Sequence, residues 1–108
     1  MVFSDYNKIS KQEISPSILW EYDLQSPSWD WNYMAEKVVE RVLMYGKQKD
    51  YYAMFQLYGG FDNVAQIAKK IPELPQKETN WACFLLGINK EDMLCYTRKS
   101  LRKKRLNS

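Results

Sequence analysis

Apolar side chains recur through the middle of the chain at steps of three, four and seven residues, which is the spacing of one face of an α-helix. The clearest stripe runs from Trp31 to Tyr45. Asp30 is placed to cap the start of this helix, and Gly46 is placed to end it. The apolar positions of this first predicted helix are Trp31, Met34, Ala35, Val38, Val42 and Tyr45.

Three shorter helices are predicted further along the chain. One covers about residues 50–58 and stops at a Gly-Gly pair. The next covers about residues 62–71 and stops at Pro72, because proline cannot continue the hydrogen-bond ladder. The last covers residues 76–86, and its second half is apolar on nearly all sides, so we expect it at the centre of the core. The predicted core residues are Val38, Val42, Phe55, Ile67, Trp81, Phe84, Leu85 and Leu86.

The ends of the chain have a different pattern. Residues 1–16 show no apolar period, so we predict a flexible N-terminal arm. The run from Ile18 to Asp23 has an extended pattern and should pack across the helices as a strap. Residues 17–97 would then form a single helical domain, followed by a basic tail at residues 98–108. The predicted fold class is all-α: a compact bundle of four to five short helices with an extended N-terminal strap and a basic C-terminal tail.

The amino-acid composition excludes several classes of function but does not identify one. A chain of 108 residues, 45% hydrophobic and 27% charged, supports one globular core. Histidine is absent, which excludes every mechanism that uses imidazole as a base, an acid or a metal ligand. Two cysteines cannot complete a zinc site, and no glycine-rich phosphate loop occurs in the sequence. We therefore predict a protein that is not an enzyme, with no catalytic, cofactor-binding or metal-binding residues.

Cys95 allows two interpretations. Basic residues follow it closely in the sequence and could make its thiol reactive. The alternative is a small buried thiol that packs as an apolar side chain. The sequence has no signal-peptide pattern and no apolar run near the roughly 18 residues that a membrane span requires. We therefore expect a cytoplasmic protein.

Charge is distributed unevenly along the chain. Residues 1–97 hold 10 Lys and Arg against 13 Asp and Glu, a net charge of −3, whereas residues 98–108 hold six basic residues and no acid, a net charge of +6. A tail of this kind is attracted to polyanions. Nucleic acid is therefore one candidate partner, bound through Arg98, Lys99, Arg102, Lys103, Lys104 and Arg105.

The segment from Phe61 to Gly87 is predicted as helix, proline-containing turn and helix, which is also the order of a helix-turn-helix DNA-binding element. Polar side chains suited to reading base edges occur in the first turn of its second helix, at Lys77, Thr79 and Asn80. The rest of that helix is apolar. A helix-turn-helix-like nucleic-acid-binding protein is thus the alternative function.

The main prediction is a protein partner. Four Trp and eight Tyr exceed what one small core needs, so some of them should cover a surface that binds another protein. The candidate partner-binding residues are Trp20, Tyr22, Trp29 and Arg41.

Several short segments also point to a family. They are Leu19-Trp20-Glu21-x-Asp23, Trp31, Val38 to Leu43 with Gly46, Leu57-Tyr58-Gly59, Leu74 to Trp81, and Leu94 to Thr97. Together they resemble a small uncharacterised bacterial domain family over about residues 17–98. Members of that family are often encoded beside a nucleotidyltransferase toxin of the abortive-infection type. The resemblance implies an antitoxin-like or regulatory role with that toxin as the protein partner, and it supplies no active site.

Overall fold

The computed structural model describes residue 3 and residues 5–97 of the chain. These residues form four α-helices and, among themselves, no β-strand. The helices are α1 (Ala35–Tyr45), α2 (Gln48–Tyr58), α3 (Phe61–Lys69) and α4 (Gln76–Leu86), with short 3-10 helices at Pro16–Leu19 and Lys90–Asp92. The prediction of an all-α bundle of short helices is confirmed.

Helix α1 is the centre of the fold, because it packs against α2, α3, α4 and the first 3-10 helix. Its Val38, Val39 and Val42 are fully buried. It ends where the sequence predicts, at Gly46, whose backbone N–H donates to the carbonyl of Val42 at 2.8 Å. The buried face of α1 therefore meets four neighbouring elements.

The start of α1 differs from the prediction by four residues. Residues 31–34 form turns, and the helix itself begins at Ala35. Asp30 does act as a cap, but for those turns: its Oδ1 accepts hydrogen bonds from the backbone N–H of Asn32 at 2.9 Å and of Tyr33 at 3.2 Å. The prediction that Asp30 caps α1 is therefore wrong: the N-cap of the helix is Met34, which makes no side-chain cap, and Asp30 caps the turn that precedes it.

The strap predicted as extended starts in a 3-10 helix instead, at Ile18 and Leu19, and continues as a turn at residues 20 and 21. Pro16 opens a 3-10 helix, a position that suits proline because the first helical N–H needs no partner. The backbone N–H of Tyr22 then donates to the carbonyl of Leu19 at 3.0 Å, which adds a turn. Ile18 and Leu19 are buried, and the segment packs on α1 as expected. Its conformation differs from the prediction because none of the described residues forms a strand beside it, so its backbone groups form hydrogen bonds locally.

Helix α2 is fixed at its first turn by a buried carboxylate. Asp50, which is 0% exposed, accepts a hydrogen bond from the backbone N–H of Lys47 at 2.9 Å. Its other oxygen accepts from the backbone N–H of Ser15 at 2.8 Å. Asp50 is the third residue of α2, which begins at Gln48 and so starts two residues before the predicted range. One side chain both caps the helix and holds the segment that precedes the first 3-10 helix.

Two glycines separate α2 from α3. Gly59 has φ +85° and Gly60 has φ +110°, and residues other than glycine rarely adopt this region of backbone conformation. A Cβ atom at Gly60 would also lie 2.6 Å from the hydroxyl of Tyr6. The glycine pair thus ends one helix, starts the next and makes room for the N-terminal segment.

The N-terminal segment lies on α2. The Gln56 side chain donates to the carbonyls of Tyr6, at 2.8 Å, and Ser10, at 3.2 Å, and accepts from the N–H of Gln12 at 2.8 Å. Ile14 is buried. The division of the chain at residue 16 stays a prediction, but residues 5–15 contact the helices closely, whereas the sequence indicated order only from about residue 17. The predicted tail, residues 98–108, lies outside the described residues.

The predicted core is largely confirmed, with one clear error. Val38, Val42, Phe55 and Leu85 are buried, whereas Phe84 is 77% exposed. The remaining three are partly buried and pack against the core: Ile67, Trp81 and Leu86. Helix α4 turns one face to α1 and α3, and each residue is rotated by about 100° from the last, so a neighbour of Leu85 points away from the core.

Candidate partner-binding surface

An exposed tryptophan and tyrosine lie together where the first 3-10 helix crosses the end of α1. Trp20 is 59% exposed and Tyr45 is 51% exposed. Their rings meet edge to face with centroids 5.7 Å apart. We call this pair, with the Arg41 and Glu21 side chains that support it, the Trp20 surface.

The side chain of Arg41 packs against the ring of Trp20. Its guanidinium carbon lies 4.3 Å from the centroid of the Trp20 ring, a cation–π contact. Nη1 donates to the carbonyl of Ile18 at 3.1 Å, and Nη2 donates to the carboxylate of Glu21. Arg41 is only 8% exposed, so its donors are used inside the protein. The structure therefore places this candidate residue beneath the surface, where it orients Trp20 without offering a charge to a partner.

The other two candidates belong to a second aromatic group. Tyr22 and Trp29 are half-buried, with ring centroids 5.4 Å apart, and Trp29 meets Trp31 edge to face at 5.2 Å. The indole N–H of Trp29 is buried and finds no hydrogen-bond acceptor among the described residues. Two of the four candidates, Trp20 and Arg41, thus belong to the Trp20 surface, and the other two belong to an aromatic group that packs against the core.

Two highly exposed aromatic residues were missed. Tyr33 is 84% exposed in the turn before α1, and Phe84 is 77% exposed on α4. Phe84 lies in an apolar run and was assigned to the core, whereas Tyr33 lies off the predicted apolar stripe, a signal for exposure that was not used. The stacking of Phe84 on Trp81, with centroids 6.0 Å apart, makes this a distinct exposed feature of α4.

Of the three residues predicted to read base edges, two are exposed and one is buried. Thr79 is buried, and its hydroxyl donates to the carbonyl of Pro75 at 3.0 Å and of Leu74 at 3.3 Å. The prediction of Thr79 as a base-reading residue is therefore wrong, because the hydroxyl serves the first turn of α4. Lys77 and Asn80 are exposed. The six basic residues proposed for nucleic acid lie beyond Thr97, outside the described part of the chain.

Both cysteines pack against neighbouring side chains. Cys95 is 1% exposed, and its Sγ lies 3.6 Å from the Thr79 hydroxyl, which fits the interpretation of a buried thiol. Cys83 is half-buried with its Sγ 3.4 Å from the Met93 sulfur, and burial raises the pKa of the Cys83 thiol. Across residues 5–97 the structure brings together no group of three or more Cys, Asp or Glu side chains that could hold a metal ion. No described helix is long and apolar enough to cross a membrane.

These features define a small helical protein with an exposed, internally supported aromatic surface. A family model described as a family of unknown function, DUF6922, matches residues 14–68, and the chain belongs to that family. The matched region contains the first 3-10 helix, α1, α2 and most of α3, so the Trp20 surface lies within it, whereas α4 lies outside. Searches of curated proteins and of solved structures give no match.

Proposed function

We propose that this protein is a non-catalytic protein-binding module that acts in the bacterial cytoplasm as an antitoxin-like regulator of a nucleotidyltransferase toxin. The observation that carries the proposal is the Trp20 surface. Tryptophan is among the residues that most often dominate the binding energy of protein interfaces, and an exposed one on a folded scaffold is available for that use. The toxin as partner follows from the sequence resemblance to a family often encoded beside such a toxin.

The support beneath Trp20 favours tight binding. Arg41 is held by Ile18 and Glu21, and Tyr45 contacts the edge of the indole ring. A side chain already held in one orientation loses less rotamer freedom when a partner covers it. The exposed part of the Trp20 ring can therefore enter a pocket on a partner at low entropic cost, while the buried Arg41 charge stays paired.

The test is a calorimetric titration of the full chain with the nucleotidyltransferase encoded beside its gene. We expect Trp20→Ala to weaken binding by at least about 2 kcal/mol, or roughly 30-fold. Tyr33→Ala is the matched control, because Tyr33 is equally aromatic, 84% exposed and outside the Trp20 surface. Absence of binding by the unmodified chain, or equal binding by the Trp20→Ala variant, would contradict the proposal.

The regulatory part of the proposal has a separate readout. Added chain should reduce the rate of nucleotidyl transfer by the toxin, and Trp20→Ala should reduce it less at equal concentration. If a complex forms but the rate of nucleotidyl transfer is unchanged, the result supports protein binding and contradicts the antitoxin role.

A further inference from the structure

Helix α4 meets sulfur atoms along one face that the proposed function does not use. The Sγ of Cys83 lies 3.4 Å from the Sδ of Met93, the residue that follows the second 3-10 helix. The fold holds this contact in place, because that 3-10 helix packs on α4 and Met93 is fully buried. Cys83 is only half-buried, so the sulfur pair lies close to solvent. A thiol and a thioether, both soft metal ligands, are thus adjacent near the surface of the protein.

A third sulfur lies one helical turn away along α4. The Sγ of Cys95 is 3.6 Å from the hydroxyl of Thr79, and Thr79 precedes Cys83 by four residues in α4. Residues four apart in a helix are neighbours on one face, with Cβ atoms about 5 to 6 Å apart. Met93 and Cys95 therefore contact successive turns of the same face of α4. We call Cys83, Met93 and Cys95 the sulfur cluster.

The donor atoms of the sulfur cluster exclude most metals. Among the described residues no three Cys, Asp or Glu side chains come together as a metal site, so the cluster lacks the oxygen ligands of Mg²⁺ and Ca²⁺ and the four ligands of structural zinc. Thiolate and thioether sulfur instead favour copper(I). Charge favours the same ion, because one thiolate and one monovalent cation form a neutral complex, whereas a divalent cation would leave a net charge in a mostly buried position.

We propose that the sulfur cluster binds one copper(I) ion, with the Cys83 thiolate and the Met93 thioether as the main ligands and the Cys95 sulfur as a third donor. Binding exchanges the thiol proton of Cys83 for the metal: the S–H bond breaks, a sulfur–copper bond forms and the proton goes to solvent, with no change of oxidation state. The cluster lies outside the residues 14–68 that the family model matches, and its binding of copper(I) is independent of protein binding at the Trp20 surface.

The sulfur cluster needs only a small rearrangement to admit the ion. With metal–sulfur bonds of about 2.3 Å, the length found in zinc thiolates, an ion between Cys83 and Met93 holds their sulfurs at most about 4.6 Å apart. The two sulfurs are 3.4 Å apart, so they have to separate by about 1.2 Å or less. Methionine is unbranched and flexible and adapts to such shifts, and the half-buried Cys83 is not enclosed on all sides.

The test is an anaerobic titration of the reduced full chain with copper(I), in competition with a chromophoric copper(I) chelator. We expect one ion per chain, and X-ray absorption at the copper edge should show sulfur ligands alone. Cys83→Ser and Met93→Leu should each weaken binding by at least about 10-fold, and Cys95→Ser should weaken it by a smaller factor. Met44→Leu is the matched control and should bind normally, because it removes a thioether from α1 that accepts no hydrogen bond from either cysteine.

Folding does not confound this test, because leucine conserves the volume of methionine and Met93→Leu should keep the circular dichroism spectrum of the unmodified chain. Unchanged affinity of the Cys83→Ser or the Met93→Leu variant would overturn the proposal. Nitrogen or oxygen ligands in the absorption spectrum, or half an ion per chain, which would mean a site shared by two chains, would also overturn it. Trp20→Ala should leave copper(I) binding intact and Cys83→Ser should leave toxin binding intact, so the two proposals can fail separately.

Discussion

Replacing Asp50 by alanine should destabilise the protein more than replacing any other described Asp or Glu residue. The side chain accepts hydrogen bonds from the backbone N–H groups of Lys47 and Ser15, and it is fully buried. Loss of a cap costs about 1 kcal/mol, and a hydrogen bond to a charged acceptor contributes about 1.5 to 3 kcal/mol. We expect the free energy of unfolding to fall by about 2 to 4 kcal/mol.

The assay is urea unfolding followed by circular dichroism, with Asp62→Ala as the control. Asp62 also lies in the first turn of a helix, α3, but is exposed, so its loss should cost under about 1 kcal/mol through the helix dipole. If Asp50→Ala unfolds at the same urea concentration and with the same slope as the Asp62→Ala variant, the reasoning about Asp50 is wrong.

Acid provides a second check on Asp50. Burial alone would raise the pKa of its carboxyl, but the N–H groups of Lys47 and Ser15 and the nearby Lys49 ammonium outweigh burial and hold that pKa below its usual value. The stabilisation is therefore present above the pKa of the unfolded chain, near 4, and is lost as the pH falls through the lower folded-state pKa. The stability difference between the unmodified chain and Asp50→Asn should shrink on acidification. A difference that stays constant from neutral pH into that range would contradict the assignment.

Three further predictions concern the core and the tail. Leu85→Ala should lower the free energy of unfolding by about 2 to 5 kcal/mol, and a variant as stable as the unmodified chain would show that this face of α4 is not buried. Arg41→Met should cost about 1 to 3 kcal/mol in the same assay, because the buried Ile18 carbonyl loses its donor. Lys37→Met, which breaks a partly exposed ion pair with Glu40, should cost under about 1 kcal/mol. Removal of residues 98–108 should lower Tm by less than about 8 °C, and a larger fall in a thermal melt would mean that the tail packs on the body.

Helix ends were the part of the fold that local sequence signals predicted best. Gly46, the glycine pair at residues 59 and 60, and Gly87 each end a helix, and α4 covers the predicted residues. These signals work because glycine and proline act on the backbone within a few residues. The side of α4 that is buried could not be predicted in the same way, since a helix that is apolar all round has no periodicity to choose a face, and Phe84 was assigned to the wrong one.

Contacts between distant residues explain the other differences. Arg41 is bound by Glu21, and Asp50 is bound by Ser15, which is 35 residues away in the sequence. Neither pairing follows a local pattern, so Arg41 was predicted to bind a partner, and the contact between Asp50 and Ser15 was not predicted. The N-terminal segment was predicted to be loose for the same reason: its partner Gln56 lies more than 40 residues further along the chain.

The proposal of a protein partner at the Trp20 surface is tested most directly by the affinity for the neighbour-encoded nucleotidyltransferase at low and high salt, measured for the full chain and for a chain that ends at residue 97. A contact based on aromatic side chains should survive loss of the tail and change little with salt, whereas tail-dependent binding should weaken steeply as salt rises. We expect the same affinity for both chains at both salt concentrations. Absence of binding to the nucleotidyltransferase, together with tight duplex binding by the chain without its tail, would contradict the account and restore the helix-turn-helix alternative.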